Sequence, residues 1–222
     1  FMSLGPRLKW IKSKIENKSS LIFTFITSIV LAFLIIKNLT TNLLFNTVLV
    51  SAAFFLFFTT LKELFIKKFD NISRSVAHFG FSLLVLSILF NSILSSEIIT
   101  NIKVGEKYNY NKTEIFFEKM KNNNNNNYNS IIGHFRITDK NGKVVDLKPE
   151  VRAYNQPTTI TSEADIKISL LADKFLVMSL VKNDEYFNIR YQVKPFMIWI
   201  WISVLLLSLG GLMSLFKKRY EK

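Results

Sequence analysis

The sequence contains no cysteine, and this absence excludes several kinds of site at once. Without cysteine the chain forms no disulfide, carries no thiol nucleophile and offers no thiolate for zinc or an iron–sulfur cluster. It also lacks the CxxCH motif through which haem is attached covalently. The chain is therefore not itself a c-type cytochrome.

Glycine and proline are also scarce, at 7 and 4 of 222 residues, and no glycine-rich phosphate loop is present. The sequence has no HExxH motif and no Ser/His/Asp set typical of a hydrolase. Three acidic residues, Glu163, Asp165 and Asp173, lack the spacing of a metal-binding loop and are predicted to form a solvated face.

What the chain has in abundance is apolar sequence, with 49% hydrophobic residues and 21 phenylalanines. A spanning helix needs about 20 mostly apolar residues, and three segments before residue 95 qualify: 21–39, 43–60 and 76–94. We predict a polytopic α-helical membrane protein with these three helices in residues 21–94. A basic interfacial arm precedes them at 1–20, an outer all-β domain follows at 95–194, and a last helix with a basic tail occupies 195–222.

The net charge of +13 is concentrated next to the apolar segments. The arm 1–20, the connection 61–75 and the tail 217–222 hold 13 of the 29 basic residues and 4 of the 16 acidic ones, whereas 95–194 is close to balanced. The positive-inside rule then places both termini inside and the large domain outside. A charge distributed in this way argues against nucleic acid as a partner.

The third apolar segment carries His78 near its first end, where an ionisable side chain is costly and usually functional. Ser75, His78 and Ser82 share one stripe at helical spacing, so we expect a small, polar face that a bulky planar ligand could approach. The alternatives are a histidine that contacts headgroups or one that bonds a neighbouring helix. Asn71 or Ser73 is a candidate cap for this helix.

Residues 95–194 alternate apolar and polar positions at strand spacing, which predicts a sandwich or barrel of about six strands. The stretch around Asp139-Lys140-Asn141-Gly142 predicts a hairpin, because Asn-Gly is the strongest short hairpin signal. His134 should point away from Phe135 and Ile137 and be structural. The asparagine run 122–127 is predicted to be a disordered insertion.

The remaining patterns concern helix packing and the start of the chain. The phenylalanine-rich run 52–60 is predicted to face lipid, and Trp199 and Trp201 to lie in an aromatic belt. Gly210 and Ser214 form a small-xxx-small pair that favours close packing on another helix. The first residue is Phe1, so either Met2 is the true start or the chain is a piece of something longer.

The order of several short motifs resembles the C-terminal part of CcmF, the haem lyase component of the System I pathway for cytochrome c maturation. The residues that carry the resemblance are, in chain order, Ala77-His78-Phe79-Gly80, Lys148-Pro149-Glu150-Val151-Arg152-Ala153-Tyr154, Thr161-Ser162-Glu163-Ala164-Asp165-Ile166, Asp173, Arg190, Lys194-Pro195, Trp199-Ile200-Trp201 and Leu209-Gly210-Gly211.

This resemblance implies that His78 is one of two axial ligands to the iron of a permanently bound haem b. It implies part of a haem lyase complex that attaches haem to apocytochrome c and is not active as this chain alone. The implied partners are apocytochrome c with its haem-delivery factors, membrane lipid, and quinol as an electron source. No catalytic residue is expected in this chain.

The chain departs from the family's pattern in one respect. The family has a tryptophan-rich segment that presents haem to apocytochrome, and neither this segment nor the histidines that flank it have a counterpart here. The chain would then be one half of a split haem lyase or a fragment of a longer one, and the expected partner is the remaining part, which would carry that segment and the second axial histidine. Split versions occur in some mitochondria, and the composition is skewed toward Phe, Ile, Asn, Lys and Tyr, whose codons are AT-rich. Both suggest the mitochondrial inner membrane, with a bacterial inner membrane as the alternative. Two other functions stay open: a ResB-like component of System II, and a non-catalytic scaffold of a respiratory or haem-handling complex.

Overall fold

The structure is a computed structural model that describes residues 18–39, 42–66, 72–111, 113–139, 142–181 and 185–220, without side chains for residue 66 and residues 217–220. It divides into a helical unit, drawn from Phe1–Leu94 and Phe196–Lys222, and a β unit, Ser95–Pro195. The predicted fold class is confirmed: four long apolar helices, with a β-sandwich between the third and the fourth. The basic arm lies outside the described residues, apart from residues 18–20.

The four helices are α1 (Lys18–Ile36), α2 (Leu43–Ile66), α3 (Ile72–Leu94) and α4 (Met197–Tyr220). Each contains a stretch long and apolar enough to cross a membrane. α2 and α3 both extend into the predicted connection 61–75, so that residues 61–66 belong to α2 and residues 72–75 to α3. In α2, Lys62, Glu63 and Leu64 are good helix formers that prolong the helix. Ser73 lies inside α3 and is not its cap, and Asn71 lies outside the described residues.

The first three helices share one apolar core of side chains from α1, α2 and α3. The prediction that the phenylalanine-rich run 52–60 faces lipid is wrong. Phe54 is buried, stacks on Phe58 at 5.7 Å and contacts Phe90 of α3 edge-on at 5.6 Å, while Phe57 lies 5.6 Å from Phe79. Aromatic pairs at these distances add to helix packing. The run therefore packs α2 against α3.

Helices α3 and α4 approach closely at two glycines. A Cβ at Gly80 would lie 2.9 Å from the backbone nitrogen of Leu207, and one at Gly210 would lie 2.6 Å from the backbone nitrogen of Ala77. The predicted close packing of α4 is confirmed at Gly210. It does not extend to Gly211, where a Cβ would meet nothing within 4 Å, or to Ser214, which is exposed.

The β unit consists of two antiparallel sheets with ten strands among the described residues, more than the six expected. One sheet has the order β1-β10-β9-β8, and the other has the order β2-β3-β4-β6-β7 with β5 paired to β4. The strands are β1 (Ser96–Ile102), β2 (Lys107–Tyr110), β3 (Thr113–Asn124), β4 (Tyr128–Thr138), β5 (Val144–Leu147), β6 (Glu150–Tyr154), β7 (Thr159–Glu163), β8 (Asp165–Lys167), β9 (Ala172–Leu180) and β10 (Phe187–Pro195).

Alternating residues of both sheets point inward and form one core, in which Phe117 stacks on Phe135 at 4.2 Å. The predicted hairpin is confirmed as β4–β5, with Gly142 at φ 73° in its turn. His134 alternates with buried Phe135 and Ile137, as predicted. Burial, Lys148 and Lys119 lower the pKa of His134, so its imidazole is neutral at neutral pH.

The asparagine run is not a disordered insertion. Asn122, Asn123 and Asn124 end strand β3 and pair with Ile131, Ser130 and Asn129 of β4. The backbone N–H of Asn125 donates to the carbonyl of Tyr128 and closes the turn. Asparagine has a low strand propensity, but a long hairpin with a favourable partner strand overrides it here.

Deleting residues 122–127 is therefore expected to destabilise the β unit. Cross-strand pairs contribute about 0.2–1 kcal/mol each, so removing three of them should lower the free energy of unfolding by about 1–3 kcal/mol. Thermal unfolding of the full chain, followed by circular dichroism, measures this. Asn126→Ser is the control, because it leaves the strand pairs intact. Equal melting of the deletion variant and the control would show that the pairing contributes nothing.

Candidate functional site

His78 lies six residues into α3, about 9 Å along the helix axis from Ile72. Its stripe is not the open polar face that the sequence suggested. Ser82 is fully buried against α2, where its hydroxyl is 2.7 Å from the hydroxyl of Thr60, and Ser75 is also buried. The imidazole itself is 20% exposed, so a ligand can reach His78 only at this remaining exposed edge.

Two further charged residues lie beside His78. Nδ1 of His78 is 3.9 Å from Oε2 of Glu63 on α2, and the other carboxylate oxygen of Glu63 is 3.5 Å from the guanidinium of Arg74 on α3. Glu63 is 11% exposed, whereas Arg74 is 40% exposed. The three side chains therefore form one polar cluster at the end where α2 and α3 are connected.

Sequence reasoning missed Glu63 as a neighbour of His78 and Thr60 as the partner of Ser82. It placed Glu63 in a loop, and it ended the second apolar segment at Thr60. The available signal was that Leu61, Leu64 and Phe65 continue the apolar pattern of α2, which keeps Glu63 helical. Which residues face His78 depends on the rotation of α2, and spacing along one chain does not determine that.

The residues present fit a haem iron in their donor chemistry. Nδ1 of His78 is buried and has no hydrogen-bond partner among the described residues, and a described charged group beside it is the carboxylate of Glu63, 3.9 Å away. Iron-ligating histidines commonly bind through one ring nitrogen and direct the other N–H to a carboxylate or carbonyl. Nδ1 faces Glu63, which leaves Nε2 for an iron. Among the described residues, no group of three His, Cys, Asp or Glu side chains could hold a metal ion by itself.

The helical unit contains one histidine that could bind a haem iron, His78. The sequence has two histidines, and the other, His134, lies on strand β4 of the β unit.

The residues of the KPEVRAY motif hold the β unit together. Nε and an Nη of Arg152 donate to one carboxylate oxygen of Glu150 at 2.9 and 2.7 Å, and the guanidinium lies 4.9 Å from the ring centre of Tyr128. Burial alone would raise the pKa of Glu150, but hydrogen bonds from Arg152 and Ser130 outweigh it and lower that pKa. These contacts join β6 to β4, so their role is structural.

Other resemblance residues are also engaged within the β unit. The backbone N–H of Lys148 donates to Asp165 at 2.6 Å, and buried Asp173 accepts a hydrogen bond from the backbone N–H of Ser169 at 2.9 Å. Arg190 pairs with Glu97 across β1 and β10 at 2.8 Å. The predicted solvated acidic face is therefore wrong for Asp173, which is a buried turn acceptor.

Comparison with known proteins supports the resemblance to CcmF that the sequence motifs indicate. Residues 93–195 match the profile of the family described as CcmF C-terminal beta-sandwich. Over its whole length the chain is 24% identical to the cytochrome c-type biogenesis protein CcmF of Escherichia coli K12. The chain is similar to the C-terminal part of CcmF, as its sequence predicts.

Other CcmF proteins give the same match. The CcmF of Haemophilus influenzae Rd is 29% identical over 73% of this chain and 26% of its own length, and the CcmF of Pseudomonas fluorescens is 28% identical over 66% and 22%. The match to the E. coli CcmF covers 36% of that protein. This chain thus spans about a fifth to a third of the curated CcmF proteins it matches.

A solved structure named Cytochrome c Heme Lyase CcmF has the same fold as this chain. The two superpose with a TM-score of 0.71 over 95% of this chain and 37% of the CcmF chain, at 18% identity. The folds of the helical unit and of the sandwich are therefore similar to the corresponding parts of that CcmF chain.

Proposed function

We propose that this chain acts in cytochrome c maturation as part of a haem b-binding membrane core, with His78 as one axial ligand. The names of the similar proteins, cytochrome c-type biogenesis protein and cytochrome c haem lyase, support the process. The observation that carries the ligand assignment is the buried, unpartnered Nδ1 of His78 facing Glu63, on the helix that also carries the family's Ala77-His78-Phe79-Gly80 motif.

His78 would bind the iron through Nε2, and the bound haem b would supply one-electron redox chemistry at this point in the membrane. The chain's own contribution is to place one imidazole and to fix its ring plane. Packing of Ala77 against Gly210 and of Gly80 against Leu207 fixes the rotation of α3, which sets the direction of the imidazole.

Glu63 and Arg74 would position His78. Nδ1 of His78 lies 3.9 Å from the Glu63 carboxylate, and a hydrogen bond from Nδ1–H to that carboxylate would select the tautomer with a lone pair on Nε2. The guanidinium of Arg74, 3.5 Å from the other carboxylate oxygen, would hold Glu63 in this position. A carboxylate at this place makes the imidazole a stronger donor to ferric iron.

Replacing Glu63 with glutamine is expected to raise the midpoint potential of the bound haem by tens of millivolts, because the neutral amide stabilises ferric iron less. We also expect haem affinity to fall, within the roughly 10- to 100-fold that outer-shell partners contribute. A redox titration of the purified complex measures the shift. Lys62→Gln is the control, since Lys62 donates to Ser20 of α1. Equal shifts in both variants would exclude a positioning role for Glu63.

The proposed setting is an energy-conserving inner membrane, mitochondrial with a bacterial inner membrane as the alternative, with the β unit on the outer side. The proposed partners are the remaining part of a split haem lyase, which carries the tryptophan-rich segment and the second axial histidine, and apocytochrome c with its haem-delivery factors. Membrane lipid and quinol are further proposed partners.

A non-catalytic scaffold is the second candidate, because a purely structural histidine would also lie beside Glu63 and Arg74. The family match favours a CcmF-type function over the ResB-like alternative. A reduced-minus-oxidised absorption spectrum of the chain, purified with its partners, separates the two candidates. A b-type band supports the proposed function, and a preparation that carries out maturation without haem b supports the scaffold.

A further inference from the structure

The turn between β8 and β9 presents large aliphatic side chains to its surroundings. Ile168 and Leu170 are 65% exposed and Leu171 is 72% exposed, and Ile166 at the end of β8 adds a further exposed side chain. Isolated exposed apolar residues are ordinary, but a contiguous cluster marks an interaction site. This cluster, residues Ile168, Leu170 and Leu171, is called the aliphatic turn below.

The aliphatic turn is braced by hydrogen bonds among its own residues. Buried Asp173 accepts the backbone N–H of Ser169 at 2.9 Å, and the hydroxyl of Ser169 donates to the carbonyl of Ala172 at 2.8 Å. The N–H of Ala172 in turn donates to the hydroxyl of Ser169 at 3.2 Å. These internal hydrogen bonds lower the cost of moving the turn into an apolar medium, because a bonded polar group is cheaper to take out of water than an unbonded one.

The register of the sheet places the aliphatic turn at the end through which the chain enters α4. Ala172, the first residue of β9, pairs with Pro195, the last residue of β10, and only Phe196 separates Pro195 from α4. β1 begins at the same end of the sheet, since Ser96 pairs with Val193 directly after α3 ends at Leu94. Leu171 lies one residue beyond the Ala172–Pro195 pair.

We propose that the aliphatic turn inserts into the adjacent lipid interface and anchors the β unit to the membrane beside α4. Its occupant is lipid because the cluster is purely aliphatic, is braced by hydrogen bonds within the turn and lies where the chain passes into an apolar helix. The aromatic and arginine side chains that dominate protein hot spots are absent from residues 168–171. Exposed Lys167, next to the turn, suits anionic headgroups, which add attraction to apolar burial at an interface.

The absence of cysteine makes a direct test possible. Leu171→Cys and Leu170→Cys, each carrying a nitroxide label, would be compared with Leu180→Cys, a label at the other end of β9 where the leucine is 48% exposed. The full chain with its partners would be reconstituted in vesicles of phosphatidylcholine and phosphatidylglycerol. Electron paramagnetic resonance would then measure collision with oxygen, which concentrates in lipid, and with a water-soluble nickel chelate.

We expect the ratio of oxygen to nickel collisions to be several-fold higher at positions 170 and 171 than at 180. Equal ratios at all three positions would show that the turn lies in water. Protection of 170 and 171 from both reagents would show that protein covers the turn. Either of these results would overturn the proposal, and neither bears on whether His78 binds haem.

Discussion

Replacing His78 with alanine is expected to remove the b-type haem band and to abolish cytochrome c maturation. If His78 supplies one of two axial bonds, its loss leaves the iron with an open position and removes the imidazole that α3 holds beside Glu63. Haem content per complex should fall by at least about tenfold, the lower range for changes near a metal ligand. Absorption spectra of the purified complex and haem-stained cytochrome c measure the two effects together.

His78→Gly with added imidazole separates ligation from packing. The cavity left by the glycine can admit free imidazole, so haem binding and maturation should both recover if the ring is a ligand. His134→Ala is the matched control, because His134 lies on the outward side of β4 and should leave both properties unchanged. Normal maturation by His78→Ala without haem b would favour the scaffold instead.

Replacing Gly210 with alanine is expected to separate α3 from α4 and to weaken haem retention at the same time. The new Cβ would lie 2.6 Å from the backbone nitrogen of Ala77 and 2.8 Å from its Cβ, so one helix backbone must move. Overpacking of this kind costs about 1–3 kcal/mol. Ala77 directly precedes His78, and a shift of α3 there redirects the imidazole. Thermal stability and haem content of the complex measure both effects.

Gly211→Ala is the matched control for this helix contact. A Cβ at Gly211 would meet nothing within 4 Å, and alanine is a better helix former than glycine by about 1 kcal/mol. The Gly211 variant should therefore be as stable as the parent or slightly more so. Equal destabilisation by the two substitutions would contradict the described α3–α4 contact.

Apolar length and hairpin chemistry made much of the fold predictable. Four helices follow from runs of apolar residues that only a membrane or a large core could bury, and the β4–β5 hairpin follows from the chemistry of its turn. The bounds of α2 and α3 were harder to predict, because a helix can continue through charged residues beyond the apolar run. Asn122–Asn124 show the same limit, since a partner strand can override low strand propensity.

The sequence predicted one residue of the candidate site, His78, but not the residues that surround it. His78 stands out because a histidine in an apolar helix is rare and costly. The buried Ser82–Thr60 contact, the position of Glu63 and the closure of the polar stripe all depend on how α2 and α3 are rotated against each other. That rotation is set by tertiary packing at Phe57–Phe79 and Phe54–Phe90, which periodicity within one helix does not determine.

The central claim, that His78 binds the iron of haem b, is tested most directly by a redox titration of His78→Met. Methionine has an unbranched side chain with a sulfur donor. Replacing one axial histidine by methionine raises the reduction potential of a haem. The account predicts a rise on the order of 100 mV, within the roughly 0.8 V that axial ligands span. An unchanged midpoint potential at full haem occupancy would show that His78 is not a ligand.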